Sequence, residues 1–106
     1  MDKYKKGTGD KNLYILRKSN RKGKRFQIVM DDHSHSFGSD VGKTFIDGRT
    51  EKEKQNWEAR HRNDKNYNNK HSAIYHSRKL LWTEPKLKDA IKKYEKEHNV
   101  KIKVEI

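Results

Sequence analysis

The sequence predicts a small α+β fold in a single domain, with an N-terminal β-hairpin, about three helices and a C-terminal segment able to add one more strand. Apolar residues alternate with polar ones around an early polar turn, recur at helical spacing through the second half, and alternate again at the C-terminus. A length of 106 residues suits one domain, and no Pro/Gly/Ser-rich linker divides it. We assign residues 12–106 to the domain and the polar residues 1–11 to a flexible N-terminal arm.

The N-terminal elements are predicted as an antiparallel sheet. Residues 13–17 and 25–30 have the composition of two strands, and the polar residues 18–23 between them form a turn, which makes a β-hairpin. We expect a polar loop over residues 31–36. A third, short strand is then expected within residues 37–46, before a turn at Asp-Gly.

Two helices are predicted from their capping residues. Thr50 and Glu53 form a capping box, in which each side chain can bond the backbone amide of the other, so a helix should run from there to about residue 63. Residues 64–70 form an Asn-rich loop. Ser72 is placed to cap a second helix that ends near residue 82.

The C-terminal part combines a third helix with a strand. Pro85 suits the first turn of this helix, and an apolar stripe opposite several lysines follows it: Leu87, Ala90, Ile91 and Tyr94. From residue 100 onward apolar residues alternate with charged ones, which is typical of a half-buried strand that can join the sheet of the hairpin.

Charge dominates the composition. There are 27 Lys and Arg residues against 15 Asp and Glu, a formal net charge of +12, while only 29% of residues are hydrophobic. These values alone would favour disorder, but the regular spacing of the apolar residues indicates a small core. The surplus of positive charge favours a polyanionic partner, and nucleic acid above all. Because there is no cysteine and no long apolar run, we expect no disulfide, no thiol chemistry, no secretion signal and no membrane partner.

Two basic sets are candidates for phosphate contacts. The first surrounds the hairpin turn, where a protruding ribbon can straddle a phosphate backbone, and consists of Arg17, Lys18, Arg21, Lys22, Lys24 and Arg25. The second lies on the predicted helices near aromatic residues and consists of Arg60, His61, Arg62, Arg78 and Lys79. A solvated turn and favourable helix-dipole contacts are the alternatives without a ligand. We expect Trp57 and Trp82 to lie in the core rather than to act as exposed stacking platforms.

Three motifs suggest other chemistry, and none of them is favoured. His33 and His35 lie near two carboxylates, but no third and fourth metal ligand follows in the sequence, so a polar loop is preferred. Residues 38–44 have one residue too few between their glycines for a phosphate-binding loop of an NTPase. The close spacing of His61, His71 and His76 does not fit a His-Asn-His nuclease. We therefore predict no metal, cofactor or catalytic residue.

A combination of short motifs resembles a known family over residues 37–94. The matching residues are Phe37, Gly38, Thr44, Phe45, Ile46, Asp47, Lys54, Trp57, Arg60, His61, Ser72, Ala73, Ser77, Leu80, Leu81, Trp82, Pro85, Leu87, Lys88 and Ile91. They resemble a family of short uncharacterised basic proteins encoded by large double-stranded DNA viruses, both tailed bacteriophages and giant nucleocytoplasmic viruses. Residues 98–106 extend beyond where such proteins usually end. The resemblance implies a viral origin and supplies no catalytic residue.

The charge and the resemblance lead to a functional hypothesis. We expect a virus-encoded, non-enzymatic protein that binds DNA or RNA through phosphate contacts with little sequence specificity, in the host cytoplasm or the virion. One alternative is a virion structural or minor capsid-associated protein, or one that binds a host protein. A nuclease is the less favoured alternative.

Overall fold

A four-stranded mixed sheet forms one layer of the structure, a computed structural model that describes residues 7–106. Its strands are β1 (Leu13–Lys18), β2 (Lys24–Val29), β3 (Ser34–Ser39) and β4 (Lys101–Glu105), in the spatial order β3-β2-β1-β4. The first three strands pair antiparallel, which confirms the hairpin, and β4 runs parallel to β1. The predicted α+β class and the strand after the last helix are thereby confirmed.

Three helices connect β3 to β4: α1 (Glu51–His61), α2 (Ala73–Leu81) and α3 (Leu87–His98). The capping box at α1 is present, because the Glu53 amide donates to Thr50 Oγ1 at 3.2 Å and the Thr50 amide donates to Glu53 Oε1 at 2.9 Å. Ser72 caps α2 as predicted. Helix α1 ends at His61, two residues earlier than expected, and α3 begins at Leu87, so Pro85 precedes that helix instead of lying in its first turn.

The predicted position of the third strand is partly wrong. Strand β3 includes residues 34–36, which were expected to form a polar loop, and ends at Ser39; residues 45–47 form a short 3-10 helix instead of continuing a strand. The reason lies in pairing with β2. His35 is opposite the buried Ile28 and so lies on the core side of the sheet, while the serines beside it point the other way. The polar composition of this segment conceals that alternation.

One hydrophobic core lies between the sheet and the helices. Alternate residues of the strands supply one side of it, including Leu16, Ile28 and Phe37, each with no exposed surface. Trp57 is 9% exposed and Trp82 is 8% exposed, which confirms that both belong to the core. Their rings stack with centroids 5.2 Å apart and planes inclined by 13°. Burying side chains of this size contributes roughly 1.5–3 kcal/mol each.

Residues 1–6 of the predicted arm lie outside the described residues. Within the rest of it, the amides of Thr8 and Gly9 donate to the carbonyl oxygens of Met30 and Asp31 at 2.6 and 2.8 Å. These bonds lie where the chain leaves β2. Among residues 7–106, no helix has both the length and the apolar content needed to cross a bilayer.

Candidate nucleic-acid interface

A groove of about 500 Å³ opens at the Ser39 end of β3, between the loop of residues 38–44 and the helices α1 and α2. We call it the basic groove. The loop lies close to α2 because its first residue is a glycine: a Cβ added at Gly38 would lie 2.8 Å from Leu81 Cδ1, and φ at Gly38 is +75°. A hydrogen bond from the Asp40 amide to the Gly23 carbonyl, at 3.2 Å, ties the same loop to the hairpin turn.

The rim of the basic groove is cationic. It carries Lys24 from β2, Lys43 from the loop, Arg49 from the segment before α1, and Arg60 from α1. None of the described residues that line the groove has a carboxylate. Arg49 is paired with Glu53, which lies outside the groove, whereas the other three cations form no ion pair with residues 7–106. Three positive charges are thus available to an anion at one opening.

The floor of the basic groove is apolar and aromatic. Trp57, Leu81 and Trp82 reach it from the core, and Ile74 lines it from α2. His61 lies against Trp57 with ring centroids 4.5 Å apart. Because both tryptophans are more than nine-tenths buried, a ligand in the groove can contact only a small part of each ring.

The predicted hairpin residues are divided by the fold. Lys18, Lys24 and Arg25 line a shallow depression that shares Lys24 and Lys43 with the basic groove. Arg21 and Lys22 lie exposed in the turn beside it. The cations at the turn and those on the groove rim therefore form neighbouring parts of one surface.

Two arginines of the hairpin already have protein partners. Arg25 donates to both carboxylate oxygens of Asp47, at 2.6 and 2.8 Å, and these hydrogen bonds hold the pKa of Asp47 well below its usual range. Arg17 Nε donates to Gln27 Oε1 at 2.8 Å, and Arg17 is opposite Glu105 in the pairing of β1 with β4. Both arginines thus have a structural partner that competes with phosphate.

The cations of α2 lie elsewhere. Arg78 and Lys79 line a separate depression of about 410 Å³ between the helices, together with Glu58 and Glu97. Lys79 donates to Glu97 at 2.7 Å, and this bond lowers the pKa of Glu97. Among residues 7–106, no side chain lines both this depression and the basic groove. The second basic set is therefore divided: Arg60 and His61 line the basic groove together with Lys24 of the first set, whereas Arg78 and Lys79 lie on another surface.

Arg78 and Arg62 have distinct surroundings. Arg78 Nη2 donates to the Tyr67 carbonyl at 3.1 Å and to Asn68 Oδ1 at 2.9 Å, and its guanidinium lies 4.2 Å from the Tyr67 ring centroid. It therefore holds the Asn-rich loop against α2. Arg62 is exposed and follows the last residue of α1 as its C-cap.

Lys43 and Arg49 are rim residues that the sequence patterns did not single out. Each lies next to a pattern that is visible in the sequence. Lys43 follows the two glycines of the loop of residues 38–44, and Arg49 directly precedes the capping box at Thr50 and Glu53. That loop is followed by a three-residue 3-10 helix, not by the long helix of a nucleotide-binding loop. Its role in the fold is to bring a cation to the groove.

A cluster of imidazoles lies at the opposite end of β3. The ring centroid of His71 is 4.7 Å from that of His33 and 5.9 Å from that of His35, and His76 is 6.0 Å from His35. We call these four residues the histidine cluster. Within the described part of the chain, no three His, Cys, Asp or Glu side chains are arranged to hold a metal ion. His61 lies apart from this cluster, in the basic groove.

Burial keeps two rings of the cluster, His35 and His76, from being protonated near pH 7. It lowers the pKa of His76 to about 3, because the ring is inaccessible to water. Burial and the neighbouring His71 and His33 also lower the pKa of His35. His35 Nε2 is buried and has no hydrogen-bond partner among the described residues. The two inner rings of the cluster are therefore neutral near pH 7, unlike the rim of the basic groove.

Comparisons of this chain with protein-family models, with curated proteins and with solved structures found no match.

Proposed function

We propose that the protein is a virus-encoded, non-enzymatic nucleic-acid-binding protein that holds phosphates at the basic groove and at the adjoining hairpin turn. The observation that carries the proposal is the groove rim, where Lys24, Lys43 and Arg60 are unpaired among the described residues. The viral origin is supported only by the resemblance of residues 37–94 to the viral family described above.

The charge distribution supports phosphate binding over a general effect of net charge. A chain with a net charge of +12 attracts any polyanion at low ionic strength. A specific site needs cations that are close together and not neutralised by neighbouring carboxylates. The lining of the basic groove has no carboxylate among the described residues, and Glu53 in the adjoining depression is paired with Arg49, whereas the depression at Arg78 and Lys79 contains two glutamates. We therefore place the phosphate contacts at the groove and the turn, and not on α2.

Salt dependence of binding tests this proposal. Binding of a duplex and of a single strand is measured against salt concentration for the natural chain and for a triple variant, Lys24→Gln with Lys43→Gln and Arg60→Gln. On duplex DNA, the slope of log affinity against log salt should flatten by about 0.9 for each phosphate that the variant no longer neutralises. The matched control changes three exposed lysines of α3, Lys88, Lys92 and Lys96, to glutamine.

The two triple variants have the same net charge, so their difference isolates position. The proposal requires the groove variant to show a clearly larger decrease in affinity and in slope than the α3 variant. Equal decreases would mean that binding follows total charge alone. Undetectable binding of either nucleic acid at low salt would remove the proposal.

A second function is favoured by the exposed edge of the sheet. Strand β4 is an edge strand; Val104 within it and Ile106 directly after it are 48% and 53% exposed. Edge strands with apolar side chains are suited to pairing with another chain, so a virion structural or host-protein-binding role is the alternative. Stoichiometric copies in purified particles would favour a structural role, and absence from particles would favour a host-directed one.

A further inference from the structure

We propose that the basic groove is a nucleotide pocket, which holds one unpaired nucleotide with its phosphate on the rim cations and its base on the apolar floor. This inference rests on the proposed function and deepens it by naming the ligand of the groove. The same chemistry is offered by a free nucleoside monophosphate and by an unpaired nucleotide within a strand.

The size of the groove suits such a ligand. At about 500 Å³ it falls within the range of roughly 300–1,000 Å³ that is typical of small-molecule pockets. It reaches the core, because Leu81 and Trp82, which are 1% and 8% exposed, form part of its floor. In a continuous duplex the bases are paired and stacked, so none is free to enter a recess between a loop and two helices.

The lining of the groove offers cations for the phosphate of a nucleotide and an apolar surface for its base. Lys43 and Arg60 provide charge at the rim, where a phosphate would be bound. Below them the surface is apolar, which favours a planar base over an inorganic ion. The loop above it carries Val41, which is 75% exposed and gives the opening an apolar side.

The position of the tryptophans limits how the base can bind. Trp57 and Trp82 are stacked with centroids 5.2 Å apart, which leaves no space for a base between them. The base therefore contacts the small accessible part of the rings, and the tryptophan pair stays intact.

Tryptophan fluorescence tests the inference directly, because the only two tryptophans of the chain both line the groove. The probe is deoxyadenosine monophosphate, titrated beside deoxyadenosine and inorganic phosphate. We expect a saturable change in emission with the monophosphate, and an affinity at least about tenfold higher than with either fragment. An oligonucleotide of about ten nucleotides and a blunt duplex of equal charge complete the series.

Two variants locate the binding, each with its own purpose. The double variant Lys43→Gln with Arg60→Gln should weaken monophosphate binding by about tenfold or more, because it removes the phosphate contacts. Its control, Lys88→Gln with Lys92→Gln on the exposed face of α3, should leave binding unchanged. Ser77→Leu adds an apolar side chain to the groove wall on α2 and should block the base without changing charge. Thermal unfolding verifies that each variant is folded.

The outcomes separate the pocket from the proposed function. Binding of the monophosphate and preference for the single strand over the duplex would support both. Salt-dependent binding of both polymers, with no response to the monophosphate and no effect of Ser77→Leu, would overturn the pocket and leave the proposed function. Binding of the monophosphate with no binding of either polymer would support the pocket for a free nucleotide and remove the proposed function. No binding of any probe would overturn both.

Discussion

The two ends of β3 differ in whether the ionisable side chains around them are charged or neutral. At the Ser39 end, Lys24, Lys43 and Arg60 surround the basic groove, and their charges have no partner among the described residues. At the Ser34 end, His35 and His76 are held among other rings, and burial keeps them neutral. One end of β3 thus has cations without an ion-pair partner among the described residues, while at the other end two groups that would be charged at mild acidity are kept neutral by burial.

Hydrogen bonds stabilise the neutral form of two imidazole rings near the Ser34 end of β3, those of His76 and His98. His76 Nε2 donates to the Lys70 carbonyl at 2.7 Å, which leaves Nδ1 to accept from the Tyr94 hydroxyl at 3.4 Å. His98 Nδ1 donates to the Tyr94 carbonyl at 2.9 Å, and its Nε2 accepts from the Tyr75 hydroxyl at 2.6 Å. These bonds join α2, α3 and the loop before α2. Protonation of His76 would place a charge inside this arrangement.

The largest expected effect is therefore acid sensitivity. The pKa of His76 is lowered to about 3 in the folded protein. Below pH 6.5 the unfolded chain therefore binds more protons than the folded chain, and the free energy of unfolding decreases as the pH is lowered. The decrease in the free energy of unfolding should approach about 1.4 kcal/mol for each pH unit between about 5.5 and 4.5. Urea unfolding at a series of pH values measures it.

A variant without the titrating ring sharpens this prediction. His76→Gln should be less stable at pH 7, since it leaves the Lys70 carbonyl with a poorer partner, but its stability should depend less on pH. His61→Gln, at the basic groove, should retain the pH dependence of the natural chain. Parallel pH curves for the natural chain and His76→Gln would contradict the assignment to His76.

The next effect concerns the loop that forms the groove. Gly38→Ala should destabilise the protein by roughly 2 kcal/mol, because alanine is strained at φ +75° and its Cβ meets the buried Leu81. Gly42→Ala is the control, since φ is +84° there but the space is open; its cost should be about 1 kcal/mol. Chemical unfolding gives both values. If both variants lost the same free energy of unfolding, the contact between residue 38 and Leu81 of α2 would not contribute to the cost of Gly38→Ala.

The smallest expected effect is a gain in binding. Glu53→Gln removes the partner of Arg49 at the groove rim and keeps the capping box, in which glutamine also serves. Affinity for nucleic acid at low salt should rise about threefold, with little change in stability. Glu97→Gln frees Lys79 on the other depression and serves as the control for net charge. An equal rise in both variants would mean that position is irrelevant.

Local patterns in the sequence predict the elements whose signals are local. The hairpin, the capping box at Thr50 and Glu53, and the alternation at the C-terminus all depend on neighbouring residues, and each is present. The predicted position of β3 is partly wrong because the inward residue of its first half is a histidine, whose neighbours in space, His71 and His76, are distant in sequence. No local pattern reveals that a polar segment will pair with β2.

The candidate site is less predictable than the fold. Charge alone singles out Lys24, Arg60 and His61, which do line the groove, but the same signal singles out Arg78 and Lys79, which lie on another depression. The direction in which a helix presents its cations depends on how it packs. Lys43 becomes relevant only because Gly38 brings the loop against α2. Such placement is a property of tertiary structure.

The parallel pairing of β4 with β1 has a consequence for synthesis of the chain. The two strands are separated by more of the sequence than any other pair in the sheet, since β1 begins at Leu13 and β4 at Lys101. During translation, β1 can join the hairpin at once but acquires its second neighbour only when residues 101–105 have left the ribosome. Until then a nascent chain exposes one side of β1, and closure of that distant pair is expected to limit the rate of folding.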